Sequence, residues 1–239
     1  METVTVVIPV HDEAATIAEL FSAFDSIVRK AGYYPKFVVV NDASQDDTLS
    51  VILRLKEGFG YQIKVINLEF NVGQHPSLLI GTRSVTDSDY VVIADADMQN
   101  PPEHVIRMLE LMKAEGYNIV YGLRRDSRLG NGLLSKIFWI GVYLISRFQI
   151  PRDQTPLKVI DAKFLYDFNR LETYSYAFFP YNLSKVKAKV GYFSVPTVPR
   201  KSGVSKYNLF NKLELYVKVC AAILLGYGRK LNYKIENTF

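Results

Sequence analysis

Two aspartates one residue apart, Asp95 and Asp97, end an apolar run in the stretch YVVIADADMQNPPEHV (90–105), with Gln99 and the pair Pro101-Pro102 just behind them. Side chains alternate along a strand, so the two carboxylates leave the sheet on one face. Like charges so placed repel unless a cation lies between them. A hard divalent ion such as Mg2+ or Mn2+, bound through oxygen and shared with substrate phosphates, meets that need. A solvated acidic turn would carry the same residues, and D-x-D alone does not separate the two.

The elements that would position this pair are legible as an alternation. Apolar runs at 4–10, 37–40, 63–68, 90–94 and 119–122 read as strands, and helical spacing of apolar residues fills the intervals, as at 14–30 with Ile17, Leu20, Phe21, Phe24 and Ile27 on one side. Further helices are expected to about residue 57, capped by Asp46 or Asp47, and at about 76–85 and 102–115, with a proline in the first turn of the last. Strands alternating with helices predict an α/β fold with a mainly parallel sheet covered on both faces. Ligands of such sheets bind at the carboxyl ends of the strands. The polar residues collect there: Pro9-Val10-His11-Asp12-Glu13, Asn41-Asp42-Ala43-Ser44, Asn71 to His75, Asp95-Ala96-Asp97 and Arg124-Arg125.

After Asp126 the alternation lapses. A Gly/Ser/Arg-rich loop leads to an apolar helix near 133–148, then a strand near 192–196, the segment PRKSGVSKYN, a helix at 208–226 and a basic tail. We read 1–239 as one domain, with residues 1–125 as a ligand-binding half and 126–239 as a helical extension. At 239 residues and 49% hydrophobic content the chain can bury a large core. The single cysteine, Cys220, excludes an internal disulfide and reads as a core residue. No signal peptide is visible, and no span reaches the roughly 18–20 apolar residues of a transmembrane helix. The segments 137–146 and 219–227, flanked by lysine and arginine, read either as core helices or as helices lying in a membrane interface. The net charge of +5 suits anionic lipid or phosphate-rich substrates. Tyr and Phe fall mostly in apolar strands and helices and are little interleaved with basic residues, so no nucleic-acid partner is expected. Nothing in the sequence fixes an oligomeric state.

The pieces VIPVHDE (7–13), VVVNDASQDDT (38–48), NVGQHPSLLIG (71–81), ADADMQNPPE (94–103) and RKSGVSKY (200–207) occur in an order that resembles glycosyltransferase family 2 on the GT-A fold. Within it the chain looks most like the polyprenyl-phosphate sugar transferases. The resemblance implies a nucleotide-sugar donor (UDP-, GDP- or dTDP-linked) bound by Pro9, Val10, His11, Glu13, Asp42, Gln74, Asp95, Ala96 and Asp97, with Asp42 near the nucleobase. It implies Mg2+ or Mn2+ held by Asp95, Asp97 and Gln99, and catalytic roles for Asp97 and Asp153. Arg124, Arg200, Ser205 and Lys206 would grip phosphate, the last three from a glycine loop suited to closing over it. His11 is expected to stack or hydrogen-bond within the donor loop and not to act as a base. His75 and His104 read as turn or helix-surface residues.

The acceptor is where the motif departs from the family. The lipid-carrier members carry a D-x-T-S-G-F-R-like segment; here Asp153 and Thr155 are retained in DQTPLK, and the Ser, Gly, Phe and Arg are not. A lipid phosphate is already an anion and needs positioning more than deprotonation, whereas a sugar hydroxyl needs a base. The expectation is therefore inverting transfer to a polyprenyl phosphate, by a protein on the cytoplasmic membrane face. The alternatives are transfer to a hydroxyl of an O-antigen or capsule-type glycan, with Asp153 as base, and a non-catalytic nucleotide- or glycan-binding module. A sugar-1-phosphate nucleotidyltransferase fits poorly, because the loop after the first strand, HDEAAT, is acidic.

Overall fold

The computed structural model describes residues 1–58, 61–98, 101–124, 140–141, 143–144, 150–151, 153–170, 179–196 and 234–239. The strands are β1 (Thr3–Val10), β2 (Tyr34–Asn41), β3 (Ile63–Leu68), β4 (Tyr90–Ile93), β5 (Ile119–Arg124), β6 (Gln154–Asp161), β7 (Val190–Val195) and β8 (Ile235–Thr238). The helices used below are α1 (Ile17–Lys30), α2 (Thr48–Gly58), α3 (Gln74–Arg83), α4 (Glu103–Glu115), α5 (Ala162–Asn169) and α6 (Phe179–Leu183). One eight-stranded sheet runs β7-β5-β6-β4-β1-β2-β3-β8. β1 to β5 and β7 share a direction, and β6 and β8 oppose them.

Both faces of the central strands are buried, which is why β1 reads as an unbroken apolar run. Val4, Val6, Ile8 and Val10 face one core with α1, α2 and α4. Val7 faces the other with α3, α5 and α6. Gly81 lets α3 lie flat on the sheet: a Cβ there would stand 2.6 Å from Val7 Cγ1 and 3.1 Å from Val40 Cγ2. That close approach carries the first turn of α3 to the carboxyl ends of β2 and β4.

Two strands depart from the sequence reading. β6 was not expected, yet it lies between β4 and β5 at the centre of the sheet. Its Pro156 cannot donate to a ladder, and proline in a sheet is confined to edges and bulges. The pairing accordingly slips: Tyr121 faces Lys158 but Leu123 faces Gln154, leaving two extra residues on β6. Gly122 makes room for the slip, since a Cβ there would meet Thr155 Oγ1 at 2.6 Å and the Leu157 carbonyl oxygen at 3.1 Å. The second departure is at the chain end. Residues 235–238, expected to lie in a basic tail, form β8 and pair antiparallel with β3. The helix expected at 208–226 lies outside the described residues. Of the one expected at 133–148, residues 140, 141, 143 and 144 are described, and they are helical.

Candidate functional site

The loops that follow β1 and β2 are sewn together by their own polar side chains. The Asp12 amide donates to Ser44 Oγ (3.1 Å), the Glu13 amide to Thr48 Oγ1 (2.8 Å) and the Ala14 amide to Asp46 Oδ2 (3.2 Å). The Gln45 amide returns a bond to Asp12 Oδ1 (2.8 Å). His11 Nδ1 sits 2.8 Å from the Asp42 carbonyl oxygen, which places a proton on that nitrogen. The imidazole thus ties the loop after β1 to the main chain at the end of β2. Asp46 caps α2 by accepting from the Thr48 amide (2.9 Å) and the Thr48 hydroxyl. Burial pushes the Asp46 carboxyl up, but the bonds from Thr48 and Ala14 outweigh it and hold it below its ordinary value. This stitching explains why α1 begins at Ile17 and not at residue 14.

Backbone strain is concentrated on the same edge, where three of the four described non-glycine residues with positive φ lie, the fourth being Asp87 before β4. Asp12 (φ 56°), Ala43 (φ 53°) and Met98 (φ 58°) are non-glycine residues in the left-handed region, one after each of β1, β2 and β4. Such conformations persist where the surroundings over-determine them, and they cluster at ligand sites. Pro9 and Val10 end β1 in register with Val40 and Asn41. The Val10 and Ala96 side chains are buried in the core, so these two expected donor contacts face the edge with main chain only.

Asp42 is buried, with Oδ1 accepting from the Val72 amide (2.7 Å) and Oδ2 from the Gly73 amide (2.9 Å). Burial raises its carboxyl, and the two amides and the nearby His11 offset part of the rise. The carboxylate thereby holds the turn that starts α3. From that turn Gln74 Nε2 donates to Asp95 Oδ1 at 2.6 Å. Asp95 is half-buried and Asp97 is buried. The D-x-D turn is thus braced from α3 before any ligand arrives.

Lys158 is the residue that sequence reasoning passed over. It points from β6 into the sheet interior, 4% exposed, and donates to the Thr155 (3.1 Å) and Pro156 (3.0 Å) carbonyls, the acceptors that the slipped register leaves unpaired. Its ammonium lies 5.5 Å from the Tyr121 ring centroid. Burial pushes it down to about 8, and Asp95 pulls the other way. His75 lies half-buried in the first turn of α3 and is driven down to about 4 by burial and then by the Lys158 charge. His104 packs on Phe193, ring centroids 6.0 Å apart. A buried lysine beside a D-x-D turn had one signal in the sequence, a single charge inside the apolar run PLKVI.

At the neighbouring strand end the Arg124 amide donates to the Asp153 carbonyl at 2.7 Å, which joins the two acceptor-side candidates. Arg124 Nε and both side-chain polar atoms of Gln154 are buried without a hydrogen-bond partner. Gln154 is a second residue that the sequence reading did not single out. Gln99, Arg125, Arg200, Ser205 and Lys206 lie outside the described residues.

Asp95 and Asp97 offer hard carboxylate oxygens, the donor type that Mg2+ or Mn2+ takes. Among the described residues no group of three or more His, Cys, Asp or Glu side chains could hold a metal by itself.

Known proteins agree with this architecture. Glucosyl-3-phosphoglycerate synthase from Mycobacterium tuberculosis, solved with Mn2+ and UDP-glucose, superposes with a TM-score of 0.65 over 97% of this chain and 81% of its own, at 16% identity. Mannosyl-3-phosphoglycerate synthase from Rubrobacter xylanophilus gives 0.65 over 94% and 74%, at 13% identity. At such identities the likeness establishes the fold, that of the GT-A glycosyltransferases. An undecaprenyl-phosphate 4-deoxy-4-formamido-L-arabinose transferase of Pseudomonas paraeruginosa is 34% identical over 128 residues, 54% of this chain and 37% of that protein. Its Klebsiella pneumoniae counterpart is 32% identical over 126 residues, 53% and 38%. The chain therefore matches well under half the length of these curated relatives. The family model for glycosyl transferase family 2 matches residues 5–171, and the chain belongs to that family.

Proposed function

We propose that this chain transfers a sugar, with inversion, from a nucleotide-sugar donor to a polyprenyl phosphate. The observation that carries the reading is the braced edge: two stitched loops after β1 and β2, and a D-x-D turn tied to α3 through Gln74. In this reading the loop from Pro9 to Glu13 and the turn held by Asp42 receive the nucleoside, and Asp95 and Asp97 hold the divalent cation. When bound, that ion supplies charge neutralisation for the leaving diphosphate. The protein's own part is to pre-set the geometry. Asp42 and Gln74 fix the first turn of α3 beside the D-x-D turn. Lys158 balances Asp95 from beneath.

The acceptor end supports an anionic acceptor. Arg124 brings a cation to the end of β5 beside the unpartnered amide of Gln154, and Arg200, Ser205 and Lys206 are assigned the same duty. A phosphate acceptor attacks the anomeric carbon without giving up a proton, so no base is required of Asp153, whose main-chain carbonyl holds the Arg124 amide. The relatives' names, undecaprenyl-phosphate sugar transferases, point the same way. Among the described residues no helix is long and apolar enough to cross a membrane. Contact with the bilayer falls to the apolar helix around Ile140, Tyr143 and Leu144, which are 59%, 42% and 56% exposed. The cytoplasmic face is the side assigned to it.

The test is transfer by the purified protein from a panel of UDP-, GDP- and dTDP-sugars with Mn2+. Label in polyprenyl phosphate and none in soluble glycans supports the reading. Turnover on a glycan hydroxyl alone moves Asp153 to the role of base. Nucleotide binding without any transfer leaves a binding module.

A further inference from the structure

The last described strand reaches the donor edge through one side chain. β8 pairs with β3, but the register slips there: Asn67 faces Asn237 while Leu68 faces Ile235. Glu236 is the extra residue of that bulge. Bulges re-aim a side chain, often beside active sites, and the Glu236 carboxylate accepts from Asn67 Nδ2 at 2.6 Å. From Asn67 the bonds continue across the sheet. Asn41 Nδ2 donates to Asn67 Oδ1 (2.6 Å), Ser44 Oγ donates to Asn41 Oδ1 (2.5 Å), and the Asp12 amide donates to Ser44 Oγ (3.1 Å).

The chain has a direction, and Glu236 sets it. A carboxylate only accepts, so Asn67 must turn its NH2 toward Glu236 and its oxygen toward Asn41. Asn41 must then turn its own oxygen toward Ser44, which uses the hydroxyl proton and leaves a lone pair for Asp12. Asn41 and Asn67 are 2% and 5% exposed, so a flipped amide would bury mismatched groups with no water to rescue them. The end of the relay is Asp12, whose backbone is held in the left-handed region.

We propose that Glu236 is a positioning residue for the donor loop: across three strands it orients Asn67 and Asn41, and through Ser44 it holds the strained Asp12 amide. The inference rests on the donor-site reading given above. Main-chain bonds from the Glu69 amide to the Lys234 carbonyl (3.1 Å) and in both directions between Val65 and Phe239 (3.0 Å each) hold β8 independently of this relay, so the side chain can be altered without removing the strand.

The experiment compares the wild type with Glu236→Leu, Glu236→Gln and Asn237→Ala, by calorimetric titration with UDP, GDP and dTDP plus Mn2+ and by hydrogen exchange at the Asp12 amide. Glu236→Leu should weaken nucleotide binding roughly 3- to 10-fold and speed Asp12 exchange, with donor KM raised and kcat kept. Glu236→Gln keeps an acceptor oxygen and should recover most of the loss, and Asn237→Ala should change neither readout. Unchanged Asp12 exchange in Glu236→Leu overturns the inference, as does an equal loss in Glu236→Leu and Glu236→Gln. A wild type that binds none of the three nucleotides, with Asp12 exchange still sensitive to Glu236, overturns the donor reading and leaves the relay standing.

Discussion

The two halves of the functional edge are built on opposite plans. On the side of β1, β2 and β3, the loop polar groups described above are paired with one another: Asp12 with Gln45 and Ser44, Asp42 with Val72 and Gly73, Asn41 with Asn67. On the side of β5 and β6, a proline breaks the ladder, a lysine is buried to mend it, and Arg124 and Gln154 keep buried polar atoms without partners. The first half resembles a finished socket, ordered before ligand binds. The second holds unsatisfied hydrogen-bonding capacity, which costs stability unless something completes it. The contrast teaches where specificity can vary: the edge proposed to take the nucleoside is fixed by main chain and short side chains, and the edge proposed to take the acceptor by a few long polar ones.

The comparison breaks most readily at Lys158. Lys158→Met relieves the burial of a charge but strips the Thr155 and Pro156 carbonyls of their donor and leaves Asp95 without its counter-charge. A net loss of about 2 kcal/mol in denaturant unfolding and a drop in transfer activity of roughly tenfold or more are expected. A fully active, equally stable variant would show that the acceptor side is not organised around this cation. Gly122→Ala tests the slipped register itself. The added methyl would stand 2.6 Å from Thr155 Oγ1 and 3.1 Å from the Leu157 carbonyl oxygen, so a loss of about 1–3 kcal/mol is expected in thermal or denaturant melts.

The donor side should respond less to any single change, because its bonds are many and local. Asp46→Ala removes one cap on an exposed helix end and should cost about 0.5–1 kcal/mol. Its carboxyl is held below the ordinary value, so its contribution is full above the unfolded pKa of about 4 and fades as pH falls through the folded value. Melting temperatures of wild type and variant should therefore converge in acid and separate toward neutral pH. A gap that stays constant with pH would assign the effect to helix propensity alone.

Much of this architecture was legible in the sequence, and the parts that were not have physical causes. β1 to β5 announced themselves as apolar runs because both faces of the sheet are covered. Asp95, Asp97, Gln74 and the His11–Glu13 loop were placed together because strand ends converge on one edge. β6 was hidden by Pro156 and Lys158, two residues that forbid a regular central strand and together define the irregular one. β8 was hidden because IENT is polar and exposed, and its strand form comes from pairing with β3 and not from its own preference. The relay from Glu236 to Asp12 joins residues more than two hundred positions apart, which no local pattern reports. Gln99, Arg200, Ser205 and Lys206 keep the roles given by resemblance alone.

Binding of the three nucleoside diphosphates to wild type and Asp97→Ala, titrated with and without Mn2+, bears most directly on the claim that the D-x-D turn holds a cation for the donor. The account predicts that Mn2+ tightens wild-type binding of one nucleotide tenfold or more, by roughly 1.4 kcal/mol at least, and that Asp97→Ala abolishes this gain while leaving the metal-free affinity near its original value. Equal affinities with and without the ion in the wild type, or an undiminished Mn2+ effect in Asp97→Ala, would contradict it.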